Sequence, residues 1–204
     1  MDLQLDAAQV RVLGSLMEKE ATTPEYYPMS LNALVNACNQ KSNREPMVTY
    51  DEATVEQALE GLRAAGLAVR ITGEGRVPKH GERFAEKYNL GRREAAVMCV
   101  LMLRGPQTVG ELRGRTERMY SFEDLEGVEH TLEHLTELGF VQTAARRAGS
   151  REPRHGHLLS GPIEEDAAPE PMVARADETD RIGELERAVA DLRREFEEFR
   201  RKFE

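Results

Sequence analysis

The stretch TVEQALEGLRAAGLAVRI, residues 54–71, recurs in altered form as GVEHTLEHLTELGFVQTA, residues 127–144, at an offset of 73 residues. In each copy, apolar residues recur every three or four positions and so share one helical face. A glycine follows where a left-handed C-cap is common, and an extended segment begins after it. The matched positions are Val55 and Val128, Leu59 and Leu132, Leu62 and Leu135, and Gly66 and Gly139. The sequence therefore predicts a duplicated unit of helix, cap and strand.

A second repeat follows each copy, as RVPKHG at residues 76–81 and REPRHG at residues 151–156. Because proline lacks a backbone donor, Pro78 and Pro153 predict that this returning strand lies at a sheet edge. Alternation then places Arg76, Pro78 and His80 on one face. Two interpretations stay open: the arginines of the hexamers contact phosphates, or they pair with an acidic third helix.

Two further helices are predicted upstream in each copy. The apolar runs VLGSLM (residues 12–17) and AVMCVLML (residues 96–103) each predict a buried first helix, and Ser30 and Thr108 are candidate N-caps of the second. The order of three helices and a hairpin is typical of a winged helix. We therefore predict a mainly α fold with small β-hairpins, in which two tandem winged-helix domains span residues 1–90 and 91–160.

The composition changes after residue 160. Residues 161–178 are rich in Pro, Ala and acidic side chains, which predicts a flexible linker. Residues 179–204 carry apolar side chains at alternating spacings of three and four, which predicts a heptad helix. The candidate dimerisation residues are Ile182, Leu185, Val189, Leu192, Phe196, Phe199 and Phe203. A parallel homodimer is the first interpretation, and a helix that folds back onto the domains is the alternative.

The charge is unevenly distributed. The chain has a net charge of −9, but residues 1–160 carry 20 Lys and Arg against 23 Asp and Glu. Cys38 and Cys99 lie in apolar helical runs, where a cysteine usually behaves as a small buried hydrophobe. The sequence contains neither an apolar run of membrane-spanning length nor the pattern of a signal peptide, so we expect a cytoplasmic protein.

The sequence offers little to an enzyme. We find no glycine-rich phosphate loop, nucleophile elbow or cysteine pair at metal spacing. His130 and His134 could face one metal across a helical turn, but the favoured interpretation is a solvated helix face. We therefore predict no catalytic residue, no metal and no cofactor.

The charge pattern of the sequence contains features for and against nucleic-acid binding. The predicted third helix of the second unit, Phe122 to Leu138, carries six carboxylates and no Lys or Arg, which would be repelled by the phosphates of a major groove. Basic residues lie instead on the wings and in a polar loop before the first unit's third helix. The candidate nucleic-acid or partner contacts are Gln40, Lys41, Asn43, Arg44, Arg76, Lys79, Arg146, Arg147, Arg151 and Arg154. An ordinary polar loop is the open alternative for the loop members of this set.

The stretch NALVNACNQKSNREP (residues 32–46), the hexamer RVPKHG and the later EPRHGH (residues 152–157) resemble the YceH-like family of bacterial proteins. The resemblance covers roughly residues 3–160, and CNQKSNREP is its most specific motif. It implies two tandem winged-helix domains and no established activity.

Two functions follow as hypotheses. The first is a non-enzymatic, dimeric regulator that associates with duplex DNA through the polar loop and the basic wings. The alternative is a protein-interaction adaptor that uses its winged helices as docking surfaces. The acidic third helices favour the adaptor, and the basic wings favour DNA.

Overall fold

The computed structural model describes residues 3–72, 77–144 and 152–162, which are mainly helical and include two small antiparallel sheets. The helices are α1 (Ala7–Thr22), α2 (Leu31–Cys38), α3 (Glu52–Ala64), α4 (Phe84–Lys87), α5 (Arg92–Arg104), α6 (Val109–Thr116) and α7 (Leu125–Glu137). The strands are β1 (Met29–Ser30), β2 (Ala68–Ile71), β3 (Lys79–Glu82), β4 (Val141–Ala144) and β5 (Arg154–His157). Within these ranges, no helix is both long enough and apolar enough to cross a bilayer.

The capping residues named from the sequence cap helices in the structure. The Ser30 hydroxyl accepts a hydrogen bond from the Ala33 amide at 3.3 Å, and Thr108 caps α6 in the same way. Gly66 and Gly139 have φ angles of 67° and 75°, the left-handed conformation that terminates α3 and α7. The predicted caps are therefore confirmed, and both halves run helix, helix, helix and strand pair.

The edge position predicted for the returning strands is wrong in the first half. The sheet order is β1-β3-β2, so β3 is central and pairs with β1 as well as with β2. The second half has a similar third partner, because Gln107 and His155 exchange backbone hydrogen bonds of 2.8 and 2.7 Å. Pro78 and Pro153 each lie one residue before the strand begins, so neither removes a donor from the ladder.

The first helices of the two halves, α1 and α5, pack in one hydrophobic core that includes residues from both halves. A Cβ atom built at Gly14 would lie 3.0 Å from the Leu103 side chain, so a larger residue here would require Leu103 to shift. Cys99 donates its thiol hydrogen to the Gly14 carbonyl, with a sulfur-to-oxygen distance of 3.3 Å. Cys38 and Cys99 are both buried and free, as the sequence predicts. The domain division at residue 90 stays a prediction.

The predicted heptad helix of residues 179–204 lies outside the described residues, as does the predicted linker beyond residue 162. The dimerisation residues named from the sequence stay predictions.

Candidate functional site

The inserted loop of the first half, residues 39–50, is held closed by its own ends. The Asn39 side-chain amide donates to the Tyr50 carbonyl at 2.8 Å, and the Tyr50 amide donates back to the Asn39 side-chain oxygen at 2.8 Å. The Glu45 amide donates to the Leu103 carbonyl of α5 at 2.8 Å. The loop therefore joins the first half to the second.

Arg44 departs from the sequence interpretation, because the structure buries it. Its side chain has no exposed surface, and its Nη2 lies 2.6 Å from the Glu18 carboxylate of α1. The same guanidinium donates to the Ala37 carbonyl at 3.0 and 3.2 Å. Arg44 cannot reach DNA or a partner while these contacts hold, so it is corrected from a surface contact to a structural residue.

The electrostatics around Arg44 agree with this role. Burial would raise the pKa of Glu18, but the hydrogen bonds and charge of Arg44 outweigh it, and the pKa lies below its usual value. Arg11 lies nearby and donates to the Pro46 carbonyl at 2.5 Å. The motif CNQKSNREP therefore fastens the loop to α1, α2 and α5.

Of the other loop candidates, two contact this scaffold. The Gln40 side-chain oxygen accepts a hydrogen bond from Lys19 at 3.4 Å. The Asn43 side-chain oxygen accepts one from Arg104, the last residue of α5. The Lys41 side chain is exposed on the surface.

The candidate residues of the wings differ in their exposure and contacts. Lys79 is exposed at the beginning of β3. Arg154 binds the Glu111 carboxylate with both guanidinium nitrogens, at 2.8 and 3.2 Å, and thereby ties β5 to α6 rather than to the third helix α7. The remaining wing candidates, Arg76, Arg146, Arg147 and Arg151, lie outside the described residues.

A groove between α7 and the β4–β5 pair has a volume of about 740 Å³. We call it the acidic groove. Its apolar lining comes from Val109, Leu125, Leu132 and Pro153. Its carboxylates are Glu129, Glu133 and Glu137 of α7, together with Glu152 before β5.

The three α7 carboxylates of the acidic groove are not neutralised by any Lys or Arg of the described residues. Glu133 and Glu137 lie 3.9 and 4.0 Å from the exposed rings of His130 and His134. Glu129 faces His155, and its charge opposes the burial that lowers the pKa of that histidine. The groove is therefore a negative surface with an apolar floor.

The equivalent face of the first half carries different charges. At the offset of 73, Arg63 and Arg70 occupy the positions of Thr136 and Thr143. Burial and the charges of these two arginines lower the pKa of His80, which is 6% exposed. This face therefore carries two arginines beside its glutamates, where the second half has neutral threonines.

Sequence reasoning noticed the carboxylates of α7 but assigned no site to them. The available signal was the four-residue spacing of Glu129, Glu133 and Glu137, which places them on one helical ridge. The contribution of β5 depends on tertiary packing and has no local signal.

Comparison with known proteins identifies the chain's relatives. A family model described as "Protein of unknown function, DUF480" matches residues 5–150. The UPF0502 protein of Solibacter usitatus is 69% identical over 100% of both chains. The UPF0502 protein of Pelobacter propionicus is 51% identical over 98% of this chain and 95% of its own, and that of Geobacter sulfurreducens is 44% identical over 100% of both. The chain therefore belongs to the DUF480 family of UPF0502 proteins, consistent with the YceH-like resemblance of its loop motif.

Proposed function

We propose that this protein is a non-enzymatic adaptor, built from two tandem winged-helix domains, that docks a partner protein in the acidic groove. The observation that carries the proposal is the charge of α7. In a DNA-binding winged helix, the third helix enters the major groove and meets phosphates. Here the third helix is α7, and its Glu129, Glu133 and Glu137 line the acidic groove. This surface repels the phosphates of a nucleic acid and suits a protein ligand.

The winged-helix interpretation is supported by equivalent backbone pairing in the two halves. Met29 pairs with His80 in the first half, and Gln107 pairs with His155 in the second. Each pairing immediately precedes the N-cap of the second helix. A strand segment added to the hairpin in this way aligns the hairpin beside the three helices, as a wing requires.

Photo-crosslinking in living bacterial cells tests the docking proposal. With p-benzoylphenylalanine at Thr143, which lines the acidic groove, we expect a discrete crosslinked product. The matched control places the same probe at Gln142, the exposed neighbour on β4 whose side chain points away from Thr143.

The crosslink at Thr143 should disappear when Glu129, Glu133 and Glu137 are changed together to glutamine. Equal crosslinking at Thr143 and Gln142, or a product insensitive to the three glutamates, would contradict docking in the groove.

DNA association remains a second candidate, and the first half favours it. Lys41, Arg70 and Lys79 are exposed there, and Arg70 lies on the face that also carries Arg63. Titration of a labelled mixed-sequence duplex with the full-length protein across a salt series tests this candidate. Binding should weaken with salt and with K41A/R70A/K79A, but less with the matched variant R92A/R93A/R118A. Equal loss in both variants would make the interaction non-specific.

A further inference from the structure

We infer that the acidic groove recognises one chemical class of partner: a protein segment that carries Lys or Arg on both sides of a single large apolar side chain. This inference rests on the proposed docking function and adds the identity of the ligand. It is argued from the charge of the groove, its apolar lining and the α7 carboxylates, which no Lys or Arg in residues 3–72, 77–144 and 152–162 neutralises.

The charge argument begins with helix geometry. Glu129, Glu133 and Glu137 follow one another at intervals of four residues, so they stack on successive turns, about 6 Å apart along the axis. Like charges at this spacing destabilise a helix, and no Lys or Arg of the described residues offsets them. Two or more cations on a partner would remove that repulsion.

The matching face of α3 shows that this arrangement is particular to α7. In α3 the equivalents of the first two glutamates are Glu56 and Glu60, but Arg63 lies one turn away and approaches Glu60 at 3.9 Å. The third equivalent is Ala64. Among the described residues, Arg63 therefore offsets part of the α3 ridge, whereas no Lys or Arg offsets the α7 ridge.

The floor of the acidic groove supplies the apolar contact. Leu132 forms its buried base, and Leu125 is 47% exposed at one end, although large apolar side chains are usually buried. Val109 and Pro153 add to the apolar lining. A volume of about 740 Å³ accommodates one aromatic or long aliphatic side chain with its flanking backbone. A purely basic segment would leave this floor exposed to water.

A spectroscopic property of the chain permits a direct test. The protein contains no tryptophan, so the indole of a tryptophan-containing peptide is the only one in the sample. The probe is a fluorescein-labelled peptide with one tryptophan flanked by lysines on both sides. An unlabelled copy gives the tryptophan emission, which shifts to the blue when the indole leaves water. Two companion peptides replace the tryptophan with serine or the lysines with glutamates.

With full-length protein, we expect the tryptophan–lysine peptide to bind with a blue-shifted emission and an affinity that decreases with salt. The serine and glutamate peptides should bind at least about tenfold more weakly, because each lacks one of the two interactions. The variant E129Q/E133Q/E137Q should weaken binding of the first peptide about tenfold. The matched variant E52Q/E56Q/E60Q removes the same charge from α3 and should leave binding unchanged.

Two matched leucine variants, one at each end of α7, test the apolar lining of the groove. Leu125→Ser should reduce the blue shift and weaken binding severalfold, whereas Leu138→Ser should change neither. Leu138 is similarly exposed, at 39%, but does not line the groove. Circular dichroism melts verify that each variant remains folded.

The outcomes separate this inference from the docking proposal. Binding without a blue shift, or equal loss in the α3 and α7 triple variants, would overturn the partner class. If no peptide binds but the Thr143 crosslink persists and needs the three glutamates, docking survives and the partner class fails. If that crosslinked product consists of two copies of this chain, the occupant is a second copy and the inference is overturned. Absence of both peptide binding and crosslinking would remove both proposals.

Discussion

The third helices of the two halves share the face that they bury and differ in the face that they expose. The same stripe of valine and leucine packs each helix into the core, with Val55 and Val128 both fully buried. On the outer surface, Arg63 in α3 is replaced by Thr136 in α7, and Ala64 is replaced by Glu137. The two third helices therefore have equivalent residues on the buried face and different charges on the exposed face. A shared fold therefore gives no reason to expect a shared ligand.

The connections before the third helices differ as well. In the first half, residues 39–51 link α2 to α3, and much of this loop contacts the protein itself. In the second half, residues 117–124 form a shorter link. The longer loop reaches across to α5 and so adds a contact between the halves to the packing of α1 against α5.

The largest expected effect is on stability and comes from removing Arg44, which anchors this loop. Arg44→Ala should lower the free energy of unfolding by about 3 kcal/mol, because the Ala37 carbonyl loses its donor and the Glu18 carboxylate keeps only the Lys19 ammonium, at 3.3 Å, as a charged partner. Urea denaturation followed by circular dichroism measures the change. The control Lys41→Ala, an exposed cation of the same loop, should stay within about 0.5 kcal/mol of the wild type.

A double variant separates charge from packing. In E18M/R44M both members of the buried ion pair are replaced by apolar side chains, so much of the lost stability should return. If Arg44→Ala were as stable as Lys41→Ala, the buried arginine would not anchor the loop, and a ligand-binding role for it would be open again.

Arg44 also shows where sequence reasoning stops. The helical stripes and the capping residues Ser30, Thr108, Gly66 and Gly139 are determined by neighbours in the chain, so the sequence predicts them. The burial of Arg44 depends on Glu18, 26 residues away, and an arginine in a polar loop is normally exposed.

The acidic groove and the central position of β3 have the same kind of origin. The groove forms only when β5 packs beside α7, and β3 becomes central only when Met29 and Ser30 pair with it. A two-residue strand has too few residues to show alternation, so the sequence gives no signal for β1.

An exchange of residues between the halves should have the next largest effect. The variant T136R/T143R gives the acidic groove the two arginines of the first half and should weaken the tryptophan–lysine peptide about tenfold, because the added cations neutralise the glutamates. The reciprocal variant R63T/R70T should leave that peptide unaffected. Fluorescence anisotropy measures both.

The reciprocal variant also bears on DNA. If the first half binds a duplex, R63T/R70T should weaken it and reduce its salt dependence, while T136R/T143R should not weaken it. Loss of peptide binding in R63T/R70T would mean that the two faces are not independent, and the contrast between the halves would no longer explain their ligands.

The smallest expected effect is the pH dependence of stability that arises at two equivalent strand positions, His157 in β5 and Glu82 in β3. Burial lowers the pKa of His157 in β5 to about 4, from 6.5, so the folded protein resists protonation there. Between these two pH values the unfolded chain binds more protons, and stability should decrease on acidification by about 1 kcal/mol per pH unit from this group. His157→Gln should reduce the slope measured by urea denaturation at several pH values.

At the equivalent position of the first half, we expect stability to depend on pH in the opposite direction. Glu82 occupies it, and burial together with the Glu82 carboxylate raises the pKa of Glu20 to about 7, from 4.5. The folded protein then binds more protons than the unfolded chain between these values, so Glu20 makes stability decrease as the pH rises. Glu20→Gln should therefore raise stability slightly near pH 7 and leave it unchanged near pH 4. If both variants changed the pH slope in the same direction, the environments of the two positions would not have diverged as their residues have.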